Sequence, residues 1–200
     1  MATAKEDPIV TTARALSNII KDGRSQPSEQ EAKLLAHILP VTVNVFFDGT
    51  LNNYYNTKFN MPSKGGSYAN AHSNIARMWM NIMDNNDAPS VYIEGIGTER
   101  YKADNKIVGA GFGAGETGVA IRAESAFAEI VKKLKIKTAP PLLVLNVFGF
   151  SRGAAAARYF IHLVNTQPEL FKSKEAKIDW QLKNGISQTK RVNVNFVGLF

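Results

Sequence analysis

Leu142-Leu143-Val144-Leu145-Asn146-Val147-Phe148 runs directly into Gly149-Phe150-Ser151-Arg152-Gly153, and four alanines follow at Ala154–Ala157. The first run is apolar on both faces, which is typical of a central strand in a parallel sheet. The alanine-rich stretch predicts a helix over residues 154–165, and Pro168 lies beyond its end. The segment therefore predicts a buried strand, a sharp turn, and a helix that packs closely on the sheet.

The turn carries the pattern G-x-S-x-G, which between a strand and a helix is the signature of a nucleophile elbow. Such a turn presents the serine hydroxyl at the strand end, and its glycines let neighbouring chain approach closely. We therefore predict that Ser151 is a nucleophile and that the backbone N–H of Arg152 stabilises a developing oxyanion. A second oxyanion donor is expected from the loop after an earlier strand, at Gly49 or Thr50. The alternative is a tight turn in which the serine only caps the helix.

Strands and helices alternate along the rest of the chain, which predicts an α/β fold with a mostly parallel sheet flanked by helices. Val41–Phe47 is β-branched and aromatic and predicts a buried strand, whereas residues 51–70 predict a long loop. Ser73 is expected to cap a helix through Asp84, with Met83 on its apolar face. The remaining predictions are a strand at residues 91–93, a helix at about 119–135 and a strand at 192–200.

The composition changes at Pro40, which divides the chain into two parts. Residues 1–40 are polar and mainly helical in pattern, and Ser28 with Glu31 fits a capping box. We expect them to form a helical lead-in to a single catalytic domain over residues 41–200. The last strand reaches the final residue with no closing element, so we expect the sheet to be incomplete at the C-terminus.

Charge and composition restrict the partners of the protein. The chain has no cysteine, which excludes a disulfide scaffold, a thiolate metal site and a cysteine nucleophile. We predict no metal and no cofactor. The net charge of +7 favours anionic partners, either phospholipid head groups or nucleic acid. The first thirty residues lack the apolar segment of a signal peptide, so we expect synthesis in the cytoplasm and any export by another route.

A serine nucleophile needs a base, usually a histidine, that a carboxylate orients. His162 lies on the same helix as Ser151, about 16 Å along its axis, and cannot reach it. His37 is expected to be structural, and only His72, in the long loop, could approach. In this fold the acid and then the histidine follow the serine, but no acid that follows Ser151 stands at a strand end: Glu169, Glu175 and Asp179. The triad therefore looks incomplete in this sequence.

Gly113–Gly118 fits G-x-G-x-x-G before a helix, a pattern that can also indicate dinucleotide binding. A dinucleotide site needs a strand before the glycines and an acidic residue about 20 positions later. Lys106-Ile107-Val108 is a poor strand, and no acid stands near Thr138. We therefore expect a glycine-rich loop or lid near the site rather than a nucleotide site.

Several blocks, in order, resemble the catalytic domain of type VI secretion phospholipase effectors, a family of serine lipases on an α/β-hydrolase scaffold. The resemblance covers about residues 41–200. It is carried by these stretches: Phe46-Phe47-Asp48-Gly49-Thr50-Leu51-Asn52-Asn53, Ser73-Asn74-Ile75-Ala76-Arg77, Tyr92-Ile93-Glu94-Gly95-Ile96-Gly97-Thr98, Gly109–Gly118, Gly149–Arg158 and Phe196-Val197-Gly198-Leu199-Phe200.

The resemblance implies a serine esterase that hydrolyses phospholipid acyl esters as a phospholipase A and acts as an antibacterial or anti-host effector. It also implies contact-dependent secretion, a peripheral phospholipid membrane surface rather than nucleic acid as partner, a spike or adaptor partner and an immunity protein. The family's aspartate follows the motif that ends in Leu199-Phe200, and its histidine lies further on, so only Ser151 is carried over as a triad member. Asp48 matches the family's first-strand aspartate and is expected to organise the site. The alternative is an inactive fragment or interaction module without acid and base.

Overall fold

A computed structural model describes residues 40–59, 61, 64–85, 88–104, 118–134, 143–167 and 192–200, together with the single positions 18, 23, 26, 28 and 29. The predicted lead-in over residues 1–40 lies almost entirely outside this part of the chain. The glycine-rich segment before Gly118 and the acids Glu169, Glu175 and Asp179 also lie outside it.

Four parallel strands form a single sheet in the order β2-β1-β3-β4. β1 is in register with β3 from Val41 opposite Leu143 to Phe47 opposite Gly149, so the two central strands end together. A register shift between Leu145 and Asn146 interrupts the pairing of β3 with β4. The elements are β1 Val41–Phe47, α1 Tyr54–Lys58, α2 Asn74–Asn85, β2 Ser90–Ile93, α3 Val119–Lys133, β3 Leu143–Gly149, α4 Arg152–Thr166 and β4 Val192–Leu199. This arrangement confirms the predicted α/β class.

The two faces of the sheet carry separate cores because successive side chains of a strand point to opposite faces. On one face, Val43, Val45 and Phe47 of β1 pack with the apolar sides of α3 and α4. On the other face, Phe46 packs with Tyr92 of β2 and with α1 and α2. The fold is therefore a three-layer sandwich in which the central strands are covered on both sides.

An asparagine ladder crosses the sheet within these layers. The side-chain amide of Asn146 on β3 donates to Oδ1 of Asn44 on β1 at 2.9 Å. Asn195 on β4 donates in turn to Oδ1 of Asn146 at 3.0 Å. Asn44 is buried, and the bond from Asn146 gives its side-chain oxygen a partner on the neighbouring strand, which offsets the cost of burying a polar group.

Most of the predicted elements are present, with ends that shift by one or two residues. Ser73 caps α2 as expected, since its Oγ accepts the backbone N–H of Ala76 at 3.0 Å. Met83, however, is 39% exposed, so its assignment to the apolar face of α2 was wrong. The helix ends with that side chain beyond the second core, which reaches only to Ile82.

The prediction of an unbroken loop over residues 51–70 was also wrong. Residues 54–58 form α1, and a single 3₁₀ turn spans Gly66–Tyr68. Oδ1 of Asn53 accepts the backbone N–H groups of Tyr55 and Asn56, so this asparagine caps the short helix. The segment reads as loop because its helix is only five residues long and has no apolar periodicity.

The two elbow glycines allow α4 to start directly against the sheet. A Cβ on Gly149 would lie 2.8 Å from the Cα of Ala154 and from the carbonyl oxygen of Gly153. A Cβ on Gly153 would clash with the carbonyl oxygens of Phe47 and Asp48 at the end of β1. All of these neighbours are backbone atoms, which cannot rotate away.

We predict that Gly153→Ala lowers the free energy of unfolding by about 1–3 kcal/mol, because the added methyl group forces α4 away from β1. Chemical denaturation followed by circular dichroism measures the change. Ala155→Ser, an exposed position on the same helix, is the control and is expected to stay within about 0.5 kcal/mol of the wild type. Equal stability of Gly153→Ala and the wild type would contradict the packing described here.

Candidate active site

Ser151 lies at the junction of β3 and α4 in a strained backbone conformation, with φ 54° and ψ −126°. Its side chain is exposed and makes no capping hydrogen bond to α4. The backbone N–H of Ser151 donates to the carbonyl oxygen of Phe200 at 2.8 Å, and Phe200 N–H donates to Gly149 at 3.0 Å. A residue other than glycine is uncommon at positive φ, and it persists there only where the surrounding structure enforces the conformation. Here the end of β4 and the close approach of α4 to β1 hold the turn.

The loop after β1 lies against the elbow. Nε of Arg152 donates to Oγ1 of Thr50 at 2.8 Å, which ties the first residue of α4 to this loop. Gly49 faces the ring of Phe150, since a Cβ on Gly49 would lie 2.5 Å from Phe150 Cδ1. The structure therefore brings Gly49, Thr50 and Arg152 together beside Ser151, as the sequence predicted.

The two candidate donors in this loop differ in their bonding. The backbone N–H of Gly49 already donates to Oδ1 of Asp48 at 2.7 Å. Within the part of the chain that is described, Thr50 N–H makes no such bond. Of the two, Thr50 is therefore the better placed to donate to an added oxyanion.

Asp48 is buried at the end of β1 with three hydrogen bonds to its carboxylate. Besides the Gly49 N–H, Oδ2 accepts the hydroxyl of Ser73 at 2.7 Å and the hydroxyl of Tyr92 at 2.6 Å. Burial raises the pKa of Asp48, and the bonds from Tyr92, Ser73 and Gly49 oppose that rise. One carboxylate thus joins β1, the start of α2 and β2.

Tyr92 has a second role, which sequence patterning did not reveal. Its hydroxyl oxygen accepts the backbone N–H of Tyr54 at 2.9 Å while its proton is donated to Asp48. Burial and the neighbouring Asp48 raise the pKa of Tyr92 well above 10, so the phenol stays protonated. Tyr92 stands in an apolar strand and reads as core. In the sequence, only its position in the stretch Tyr92–Thr98, which resembles the family, indicates that it lies near the site.

The loops after β1 and β2 are joined to each other beside the site. Gly95 N–H donates to the carbonyl of Asn52 at 2.8 Å, and Leu51 N–H donates to Ile96 at 3.0 Å. A Cβ on Gly95 would overlap the carbonyl oxygen of Gly49, so no larger residue fits there. The two loops consequently form one rigid ledge at the carboxyl edge of the sheet.

A buried ion cluster fastens the second loop to α3. Glu94 follows β2 and pairs with Arg100 and, at 3.5 Å, with Nη1 of Arg122. Nη2 of Arg122 reaches the backbone carbonyl of Thr98. Burial lowers the pKa of Arg122. An open cavity of about 310 Å³ adjoins the cluster and is lined by both arginines, Glu94 and Glu129, among others.

The two histidines that the structure describes, His72 and His162, make ring contacts with tyrosines rather than with Ser151. The ring of His72 stacks on Tyr54 with centroids 5.3 Å apart and, within the described part of the chain, Ser151 has no hydrogen bond from its Oγ to any histidine. His162 lies exposed on α4, three turns beyond Ser151, and stacks on Tyr159. His37 lies outside the described residues, as do the three later acids.

No group of three or more metal-ligating side chains occurs among the residues that the structure describes. Within the same ranges, no helix combines the length and the apolar character needed to cross a membrane.

Residues 42–200 match the family described as T6SS, phospholipase effector Tle1-like, catalytic domain. No curated protein matches the chain. A solved structure, the Tle1 effector bound to the VgrG spike from the type 6 secretion system, shares 26% sequence identity with a TM-score of 0.42. That similarity covers 82% of this chain and 38% of the other. On the family match, this chain belongs to the Tle1-like phospholipase effectors of the type VI secretion system and carries their catalytic-domain sequence.

Proposed function

We propose that the protein is a serine hydrolase of the phospholipase A type and that Ser151 is its nucleophile. The observation that carries the proposal is the strained Ser151 at the β3–α4 junction, with its side chain exposed between two glycines that let the backbones approach. Structural turns that only cap a helix do not need a serine at positive φ. The family match supports a phospholipid substrate.

In this mechanism Ser151 Oγ attacks the carbonyl carbon of an acyl ester while a base takes its proton. The carbonyl oxygen becomes an oxyanion, which accepts hydrogen bonds from backbone N–H groups of Arg152 and of Thr50 or Gly49. Collapse breaks the ester C–O bond and releases the lysophospholipid as an alcohol once it regains the proton. Water then hydrolyses the acyl-enzyme to a fatty acid and restores the serine.

Asp48 is proposed to organise this site rather than to orient the base. Its carboxylate is already shared by Gly49, Ser73 and Tyr92, and it lies in the buried layer beneath the loop that carries Thr50. The family resemblance assigns the acid and the histidine of the triad to other residues than Asp48, and we propose the same for this protein. In this proposal Asp48 holds the loop of Gly49 and Thr50 in place and so positions the oxyanion donors.

We also propose, from family membership, that the protein is a secreted toxin. A secretion-apparatus spike or adaptor would carry it by contact into a target cell, where it would degrade membrane phospholipid. An immunity protein would protect the producing cell.

A second candidate function is that of a non-catalytic interaction module. It is favoured by one observation: among the described residues, no acid or histidine forms a hydrogen bond with the Ser151 hydroxyl. The labelling experiment below separates the two.

We predict that a fluorophosphonate probe labels the protein and that Ser151→Ala abolishes labelling, because the probe reacts only with an activated serine. In-gel fluorescence and mass spectrometry of the labelled peptide measure this. Ser125→Ala, which removes a hydroxyl bonded to the carbonyl of Ile121 on α3, is the control and should label like the wild type. Folded protein that takes up no probe would support the interaction module.

We predict that phosphatidylglycerol yields fatty acid and lysophospholipid in equal amounts, because the attack is on the acyl carbonyl. Mass spectrometry of the lipid products measures the ratio, with Ser151→Ala as the blank. Diacylglycerol or phosphatidic acid as the main product would rule out A-type chemistry.

We predict that the stability of the wild type, relative to Asp48→Asn, falls as pH rises above about 4. The raised pKa means that the folded state holds its proton more tightly than the unfolded state does. That contribution is therefore complete below the unfolded pKa and is lost as pH rises through the folded pKa. Urea denaturation of both proteins across a pH series measures the difference.

Ser73→Ala sharpens this experiment, because it removes one of the bonds that lower the pKa of Asp48. The fall should then extend to higher pH and become larger, because it begins at the unfolded pKa and ends at the folded pKa. A difference between wild type and Asp48→Asn that does not vary with pH would show that the carboxyl group is not perturbed.

A further inference from the structure

An exposed patch lies on the ledge formed by the loops after β1 and β2, and nothing in the proposed chemistry uses it. It consists of Phe59, Met61 and Tyr101 with Lys58 and Lys64, and is called here the aromatic–basic patch. Phe59 is 54% exposed and Tyr101 60% exposed, although their rings contact each other with centroids 5.9 Å apart. Two large aromatic rings that pack together outside the core present a contiguous apolar surface to solvent.

The backbone holds Tyr101 in this outward position at a cost. Its φ is +64°, which is unfavourable for a bulky residue. The side chain of Asn56 enforces the conformation, since its Oδ1 accepts the Tyr101 N–H at 2.7 Å while its Nδ2 donates to Glu99 and Ser67. Asn56 is itself fully buried in the ledge. Tyr101 is therefore exposed in a strained backbone conformation that a buried asparagine stabilises.

The patch faces the same edge of the sheet as the candidate nucleophile. α1 and Phe59 follow the carboxyl end of β1, and Tyr101 follows the carboxyl end of β2. Because the strands are parallel, these ends and the end of β3, where Ser151 lies, share one edge. Thr50, bonded to Arg152, connects the ledge to the elbow.

Two lysines, Lys58 and Lys64, lie in the same segment after β1 as Phe59. Lys58 and Lys64 lie over the rings of Tyr54 and Tyr68, at 5.6 and 4.9 Å from the centroids, and neither forms an ion pair with a described carboxylate. The nearby acids are already engaged, since Glu99 pairs with Lys102 and Asp104 accepts two hydrogen bonds from Ser67. An apolar centre with lysines beside it matches the chemistry of an anionic lipid surface, where rings enter the headgroup layer and ammonium groups meet phosphates.

We propose that the aromatic–basic patch docks the protein on an anionic phospholipid bilayer, with Phe59 and Tyr101 inserted and Lys58 and Lys64 at the phosphates. The inference deepens the proposed function, because docking by this edge would bring the elbow to its substrate. Binding by the patch does not, however, require a reactive Ser151.

The test uses vesicles of equimolar phosphatidylethanolamine and phosphatidylglycerol, with phosphatidylcholine vesicles for comparison. Sedimentation measures the bound fraction of the Ser151→Ala protein, so that no lipid is consumed. In that background Phe59→Gln with Tyr101→Asn removes both rings, and asparagine tolerates the positive φ at position 101. We expect vesicle binding to fall at least about tenfold, and Lys58→Gln with Lys64→Gln to reduce the salt dependence of binding.

The matched control is Met83→Gln with Tyr159→Gln, which changes two side chains of 39% and 38% exposure on α2 and α4. It should bind vesicles like the parent protein. Thermal unfolding of all variants checks that the fold is intact. In the Ser151-containing protein, the ring variant should lose vesicle hydrolysis but keep fluorophosphonate labelling.

Three results would overturn the proposal. The first is that the parent protein does not bind anionic vesicles. The second is that the parent and the ring variant bind equally. The third is that the parent forms a dimer in sedimentation velocity, which the ring variant loses while its vesicle binding is unchanged. The last would mean that a second copy covers the patch. Absence of probe labelling with intact, patch-dependent binding would instead refute the proposed hydrolase and leave the docking surface standing.

Discussion

The buried carboxylate of Asp48 is the contact on which the arrangement of the site depends. It accepts hydrogen bonds from Gly49, Ser73 and Tyr92, which belong to the loop after β1, the start of α2 and β2. Burial makes its charge costly, and these three donors, together with the nearby His72, offset part of that cost. Each donor belongs to a different element, so the loss of one donor would remove the bond that ties that element to Asp48. The loop that carries the candidate oxyanion donors is therefore as rigid as the core beneath it.

Close approach of backbones is the second constraint, and it acts on the elbow. Gly153 lies against the carbonyls of Phe47 and Asp48, so α4 begins where β1 ends. This contact forces the turn at Ser151 into positive φ, and the Ser151 N–H finds its partner in Phe200 at the end of β4. The exposed hydroxyl is thus a consequence of packing between three strands and one helix. The candidate nucleophile and the candidate backbone donors are therefore held in place by the fold itself, which is the condition for electrostatic stabilisation of an oxyanion.

The ledge beside the elbow is built by polar side chains rather than by apolar packing. Asn53 caps α1 and also donates to Thr98, and Asn56 bonds both loops. The Glu94–Arg122 pair then fastens the second loop to α3. The network leaves the rings of Phe59 and Tyr101 exposed at its outer surface, and within it Nε of Arg122 is buried without a hydrogen-bond partner among the described residues. The exposed rings on these loops, beside the candidate nucleophile, are the observation from which we infer docking on a membrane surface.

Local patterning determined the order of strands and helices, the parallel class and the position of Ser151, because each rests on residues within one turn or one strand. Met83 and the α1 segment were misjudged, since the extent of a core and a cap by Asn53 depend on neighbours distant in sequence. Three side-chain bonds were decided only by tertiary structure, because their partners lie 38, 45 and 102 positions apart along the chain: Tyr92 with Tyr54, Asn56 with Tyr101, and Arg152 with Thr50. Hydrogen bonds over such separations leave no periodic signal, because they arise from the register of parallel strands whose carboxyl ends meet at one edge.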